Sequence, residues 1–146
     1  MTTKIRLATD SDIDQIKKVL SEADLRFTQE TLNGFCVAEI NGEIIGLVRL
    51  EEHDDFLFLT SLGVATAHQH KGIASELMNS IISKAKKPIY LYTIIPAFFI
   101  RFGFKPVSQP YPQQLNLPPK GIYGCDKCVP GHCLTMVKCP GDTKVS

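Results

Sequence analysis

The stretch Ser61-Leu62-Gly63-Val64-Ala65-Thr66-Ala67-His68-Gln69-His70-Lys71-Gly72-Ile73-Ala74 decides how this sequence reads. It closes an apolar run of β character that begins at Phe56, and it opens a segment in which Ile73, Leu77, Ile81 and Ala85 recur at helical spacing. A polar turn over residues 67–72 therefore delivers a helix N-terminus directly after a strand. Such a terminus gathers backbone N–H groups that lack intrahelical acceptors and carries a partial positive charge, and a glycine there lets a ligand come close to the backbone. Phosphate oxygens are the natural ligand, a pyrophosphate in particular. The spacing is neither that of a P-loop nor that of the glycine-rich dinucleotide-binding turn. Gly63, inside the strand, marks a bulge or a close approach by another backbone or a ligand.

Working toward the N-terminus, Asn41-Gly42 between two β-like runs is a strong type I′ hairpin signal, so strands over 35–40 and 43–50 are antiparallel neighbours. The acidic cluster 51–55 reads as a second turn, which makes residues 56–64 the third strand of a meander. A short strand over 4–8 precedes a helix capped by Asp10 or Ser11, with Ile13, Ile16, Val19 and Leu20 on one face and an end near Ala23. The connector 24–34 has weak periodicity, with one helical turn over 29–32. Toward the C-terminus, Pro88 stops the long helix, residues 89–93 form a buried strand, and Pro96 opens a short helix that Gly103 ends. Another strand begins at Phe104. Prolines 110, 112, 118 and 119 then make a surface loop before a last strand over 133–138.

The resulting class is mixed α/β, and 146 residues suit one domain: a core of about 4–108 followed by a Pro-rich loop and a Cys-rich end over 109–146. Sixteen basic against fifteen acidic residues argue against a nucleic-acid surface, and no apolar run approaches the ~20 residues that span a bilayer. The first residues lack a signal-peptide core, so a cytoplasmic location with reduced thiols is expected.

Gln69-His70-Lys71-Gly72-Ile73-Ala74 resembles the Gln/Arg-x-x-Gly-x-Gly/Ala phosphate loop of the GNAT superfamily of acyl-CoA N-acetyltransferases. Residues 61–64 look like that family's splayed fourth strand, and residues 97–104, ending in Gly103-Phe104, look like its fourth helix. The resemblance implies a GNAT fold, with a mainly antiparallel sheet of six to seven strands flanked by helices and a cysteine-containing extension. It also implies acetyl-CoA as cosubstrate. The pantetheine arm would pair with the strand at Leu62, Gly63 and Val64, and the N–H groups of Gln69, His70, Lys71, Gly72, Ile73 and Ala74 would grip the pyrophosphate. The Val64 N–H would polarise the thioester carbonyl, a donor contributing on the order of 3 kcal/mol to such a reaction.

Two features depart from the better-known pattern. Phe99 stands, beside the cofactor, where many members carry a tyrosine acid, and Phe58 stands where many carry a strand-four glutamate base. A thiol with pKa near 8.5 leaves without much acid help, but an acceptor ammonium still has to lose a proton. Glu51 acting through water is the candidate base, against the reading of a solvated acidic turn. Residues 91–99 are similar to the corresponding segment of N-acetylglutamate synthase and related amino-acid acetyltransferases. That similarity implies an amino-acid acceptor such as glutamate, whose carboxylate Arg26 or Arg49 would receive unless these are surface arginines. The expected partners are thus a small-molecule amine and a second copy in a homodimer, with no nucleic acid and no membrane. A non-catalytic acetyl-CoA sensor and a peptide N-acetyltransferase are the rivals.

Cys125, Cys128, His132 and Cys133 have zinc-like composition, but six extended residues at ~3.3 Å each would carry Cys139 out of reach of Cys133. The remaining set is incomplete. Structural zinc, reduced thiols and a Cys125–Cys128 redox pair stay open, and no metal is assigned.

Overall fold

The computed structural model describes residues 3–23, 25, 32–107, 117 and 134–141. Among them, seven strands form one sheet in the order β1 (Lys4–Leu7), β2 (Phe35–Ile40), β3 (Glu43–Glu52), β4 (Leu57–Val64), β5 (Ile89–Thr93), β7 (Leu134–Lys138), β6 (Lys105–Pro106). Only β4 and β5 run parallel. The helices are α1 (Ile13–Glu22), α2 (Ile73–Lys84) and α3 (Pro96–Ile100). The β2–β3 hairpin turns where Asn41-Gly42 requires it, with φ of 52° and 81°.

Period-two alternation sends neighbouring residues of a strand to opposite faces, and each face takes one helix. Ile16, Val19 and Leu20 of α1 pack on Phe35, Val37 and Leu47, whereas Leu77, Met78 and Ile81 of α2 pack on Cys36, Ala38, Val48 and Leu59. Each fully buried Val, Leu, Ile, Phe or Met among them contributes about 1.5–3 kcal/mol. The sheet is thereby clamped from both sides.

The central feature is where pairing stops. β4 and β5 match only at Leu57↔Ile89 and Phe58↔Tyr90, after which β4 continues to Val64 with β3 alone. Within β4 the register jumps: Arg49 pairs with Ser61 but Leu50 pairs with Leu59, so Thr60 is an inserted residue. Such a bulge bends the strand and increases its twist. The two strands part just beyond their matched pairs, leaving an open-sided gap over residues 59–64.

Several boundaries differ from expectation. β3 continues through Glu51 and Glu52, which pair with Phe58 and Leu57, so Glu51 lies on a strand and not in a turn. The α2 backbone leaves helical geometry at Ala85 (ψ 132°), short of Pro88, and Lys87 Nζ then holds Glu52 Oε2 (2.9 Å) and the His53 carbonyl (2.8 Å). Strand one stops at Leu7, and the last strand is described from Leu134, Cys133 lying outside the described residues. Thr9, rather than Asp10 or Ser11, leads into the first helical segment through a 3-10 turn over Asp10–Asp12. Gly63 is not the bulge: a Cβ there would lie 2.9 Å from the Ala23 Cβ, so it is the end of α1 that approaches closely. The turn expected over 29–32 falls mostly outside the described residues.

The Asp12 carboxylate accepts from Arg6 at 2.7 and 3.0 Å and from the Thr9 N–H at 2.7 Å, tying β1 to the start of α1. The Arg6 bonds, above all, hold its carboxyl well below the usual range. The lowered pKa means that this stabilisation is complete above about pH 4 and is lost as pH falls through the folded-state pKa. Asp12→Asn should cost about 2 kcal/mol at pH 7. Urea denaturation at pH 7 and at progressively lower pH should show wild type and variant converging on acidification.

Candidate functional site

The Ala65 N–H donates to Ile45 O at 2.8 Å, toward β3. In an antiparallel ladder the alternation then turns the N–H and C=O groups of Leu62 and Val64 the other way, into the gap facing β5. Their side chains pack against the core on the α2 side. Leu62 and Val64 thus offer a short stretch of strand edge to an incoming extended chain.

At the end of that edge, a 3-10 turn over Thr66–His68 leads into residues 69–72, where His70 (φ 64°) and Gly72 (φ 84°) are left-handed. Backbone of this kind turns successive N–H groups toward one side, a concavity suited to anions. The first helical bond of α2 runs from the Glu76 N–H to Gly72 O at 3.0 Å, so the N–H groups of Ile73, Ala74 and Ser75 have no acceptor within the helix. A Cβ at Gly72 would meet nothing within 4 Å, which leaves open space over this terminus. Gln69, His70 and Lys71 are exposed. The Gln69 side chain turns back, its Nε2 donating to Val64 O at 3.1 Å, and pins the loop to the strand edge. Ile73 buries its side chain, and only its backbone is available.

On the α1 face, beyond the reach of α1 itself, lies a polar and aromatic surface. Buried Arg49 donates through Nε to Asn33 O (3.1 Å) and through one terminal nitrogen to Thr60 Oγ1 and Glu51 Oε2 (3.4 Å each). It therefore ties the connector, the bulge and the carboxylate together, and it is no surface arginine. The other Glu51 oxygen lies 2.6 Å from His53 Nε2. His53 stacks on Phe56 (centroids 4.4 Å apart), Phe56 meets the Tyr90 ring edge-on, and Phe58 meets Tyr92 likewise. Glu51 and Phe58 are direct cross-strand partners, ~5 Å apart. A carboxylate therefore stands directly opposite Phe58, one strand over.

Phe99 is buried against Phe98 and Phe104, in the core cluster on which the gap-edge residues Leu62 and Val64 also pack. Burial pushes the Cys36 thiol up, so it is poorly suited to act as a nucleophile. Arg26, Cys125, Cys128, His132 and Cys133 lie outside the described residues, and among those described no group of three or more metal-ligating side chains occurs. No helix of the described residues is long and apolar enough to cross a membrane. Sequence reasoning missed the Thr60 bulge and the Glu51–His53 contact. Neither leaves a periodic signal, because a bulge interrupts period two and the contact joins side chains across a strand end.

Residues 5–104 match the acetyltransferase (GNAT) family. The chain belongs to that family. Its fold is also shared with solved structures of low identity. N-acetylglutamate synthase from Neisseria gonorrhoeae, in complex with coenzyme A and N-acetyl-glutamate, is 20% identical with a TM-score of 0.71, covering 96% of this chain and 35% of that one. The PaiA N-acetyltransferase of Thermoplasma acidophilum, in complex with coenzyme A, is 16% identical (TM-score 0.68; 95% and 99% covered). The ribosomal-protein-S18-alanine N-acetyltransferase of Escherichia coli is 14% identical (0.71; 95% and 94%). The GNAT chain thus spans about a third of the Neisseria synthase and nearly the whole of the other two.

The two site glycines should respond differently to substitution. Gly72→Ala meets open space and pays only for its left-handed backbone, about 1–2 kcal/mol. Gly63→Val drives a side chain into Ala23 and Leu25 and should cost more, about 2–3 kcal/mol. Chemical denaturation of both variants checks the order.

Proposed function

We propose that this GNAT chain transfers an acetyl group from acetyl-CoA directly to the amine of a small molecule, with an amino acid such as glutamate as the favoured acceptor. The observation that carries the reading is the continuity of the strand edge at Leu62 and Val64 with the anion-suited turn at residues 69–74. An extended amide-bearing arm and a pyrophosphate, joined in one molecule, match those two surfaces in that order. Acetyl-CoA supplies the activated acyl group when bound.

The chain's own residues then divide the work. The N–H groups from Gln69 to Ala74 hold the phosphates, and Leu62 and Val64 pair with the arm. The Val64 N–H donates to the oxyanion that develops at the thioester carbonyl. Glu51, on the opposite side of the bulge, takes the ammonium proton through a water, standing in for the carboxylate absent at Phe58. Arg49 makes its bonds to Asn33, Thr60 and Glu51 through Nε and one terminal nitrogen, and its remaining terminal nitrogen is the group offered to an acceptor carboxylate. The likeness to the Neisseria synthase, whose structure holds N-acetyl-glutamate, supports that choice of acceptor. No covalent enzyme intermediate is required, since a thiolate leaving group departs readily near neutral pH.

Two measurements test this. Calorimetry should find that Gly72→Glu weakens acetyl-CoA binding at least about tenfold while the protein stays folded, since a carboxylate at the loop repels phosphate. Release of free thiol, followed across an amine panel, should show turnover with amino acids in the wild type. Glu51→Gln should lose about 100-fold at pH 7, and less at pH values where the free amine predominates. Binding without turnover on any amine would favour a sensor, and turnover confined to peptides would replace the acceptor assignment.

A further inference from the structure

Three regions outside the cofactor surfaces carry unusual chemistry. The cavity between the end of α2 and the end of β7 is lined by Lys87 and Lys138 together with Cys139, and Lys87 is already committed to Glu52 and the His53 carbonyl. Ile94, Ile95, Ile100 and Leu134 are exposed, and nothing in the structure defines what would cover them. The third region, the pair Glu51–His53, is built for a task.

Glu51 has a partner on each oxygen: Arg49 on Oε2 at 3.4 Å and His53 Nε2 on Oε1 at 2.6 Å. Arg49 occupies one carboxylate oxygen and His53 the other, so a proton received by Glu51 has its onward path on the His53 side. The His53 ring is fixed by the stack on Phe56, its backbone N–H donates to Phe56 O at 2.9 Å, and its carbonyl accepts from Lys87 at 2.8 Å. A third of its side chain nevertheless reaches solvent. It joins a carboxylate on the acceptor face to bulk water.

We propose that Glu51 and His53 form a two-member proton relay, with Glu51 receiving the acceptor's proton and His53 carrying it to solvent. This rests on the acetyltransferase reading and adds the exit route for the proton. The ammonium N–H bond breaks and its proton passes through a water to Glu51. With His53 in the Nδ1–H tautomer, Nε2 accepts the proton from Glu51 and forms an imidazolium paired with the regenerated carboxylate. The imidazolium then loses Nδ1–H to water or buffer, which leaves the Nε2–H tautomer bonded to Glu51, and solvent-mediated tautomerisation back to Nδ1–H, with no net change in protons, restores the relay. Nothing is oxidised, and no metal or further reactant is needed. The charged and titratable groups around His53 are Glu51 and Arg49 on β3, Glu52 and Lys87 at its backbone, Asp54 and Asp55 in the turn, and Tyr90 behind Phe56. His53 acts through Glu51, so it is a positioning and relay residue, whereas Glu51 faces the acceptor.

The test uses His53→Phe, which keeps an aromatic ring for Phe56 but carries no proton, with Glu52→Gln as a neighbouring control. Expected are unchanged acetyl-CoA affinity and melting temperature, a loss of about tenfold or more in turnover at pH 7, and recovery of rate as imidazole is added to the buffer. Glu52→Gln should turn over like the wild type. Full activity of His53→Phe between pH 6 and 8 would overturn the relay, as would a slow variant that imidazole does not rescue, since that marks a structural role. A wild type that neither binds acetyl-CoA nor turns over would instead overturn the acetyltransferase reading beneath it, and calorimetry separates this case from the others.

Discussion

The structure depends on one interrupted pairing. β4 and β5 begin as parallel neighbours and part after two matched residues, while β4 remains hydrogen-bonded to β3 along its length. The backbone groups of Leu62 and Val64 are therefore directed at a gap instead of a strand. An amide-bearing chain entering the gap would find backbone donors and acceptors already aligned on that edge, before any side chain contributes. α1 and α2, clamped on opposite faces, keep the sheet from relaxing to close it.

A turn suited to anions follows from the same geometry. Because β4 ends beside the gap, the turn that leaves it must reverse direction at once, and it does so through left-handed backbone at His70 and Gly72. That reversal presents the N-terminus of α2 at the far end of the gap, so one ligand can span both surfaces. Gln69, bonded to the Val64 carbonyl, makes loop and strand a single unit.

The α1 face of the sheet shows how a side chain's place depends on strand pairing more than on its own strand. A carboxylate at position 58 and one at position 51 occupy nearly the same region, because the two residues are cross-strand partners on one face. Arg49 links that carboxylate to Thr60 at the bulge, so the residue that shapes the gap and the residue that would move a proton share one hydrogen-bonded network. Phe99 contributes apolar packing to the core between α3 and the sheet.

Much of this architecture was legible from local rules. The Asn41-Gly42 turn, the amphipathic faces of α1 and α2, the helix opened by Pro96, and the strand-turn-helix at residues 61–74 depend on backbone preferences and short-range periodicity, which a sequence carries on its surface. The turn around Gly72 was legible for the same reason, since backbone conformation sets it. What only the tertiary structure decided were the features created between segments: the Thr60 insertion, the extension of β3 through Glu51 and Glu52, the reason for Gly63, and the contacts of Glu51 with Arg49 and His53. A register shift is set by two strands jointly, and an ion pair across a strand end by side-chain directions that spacing alone does not specify. Position along the chain determined where a phosphate-suited turn would form, and the packing of strands determined which side chains would face the chemistry beside it.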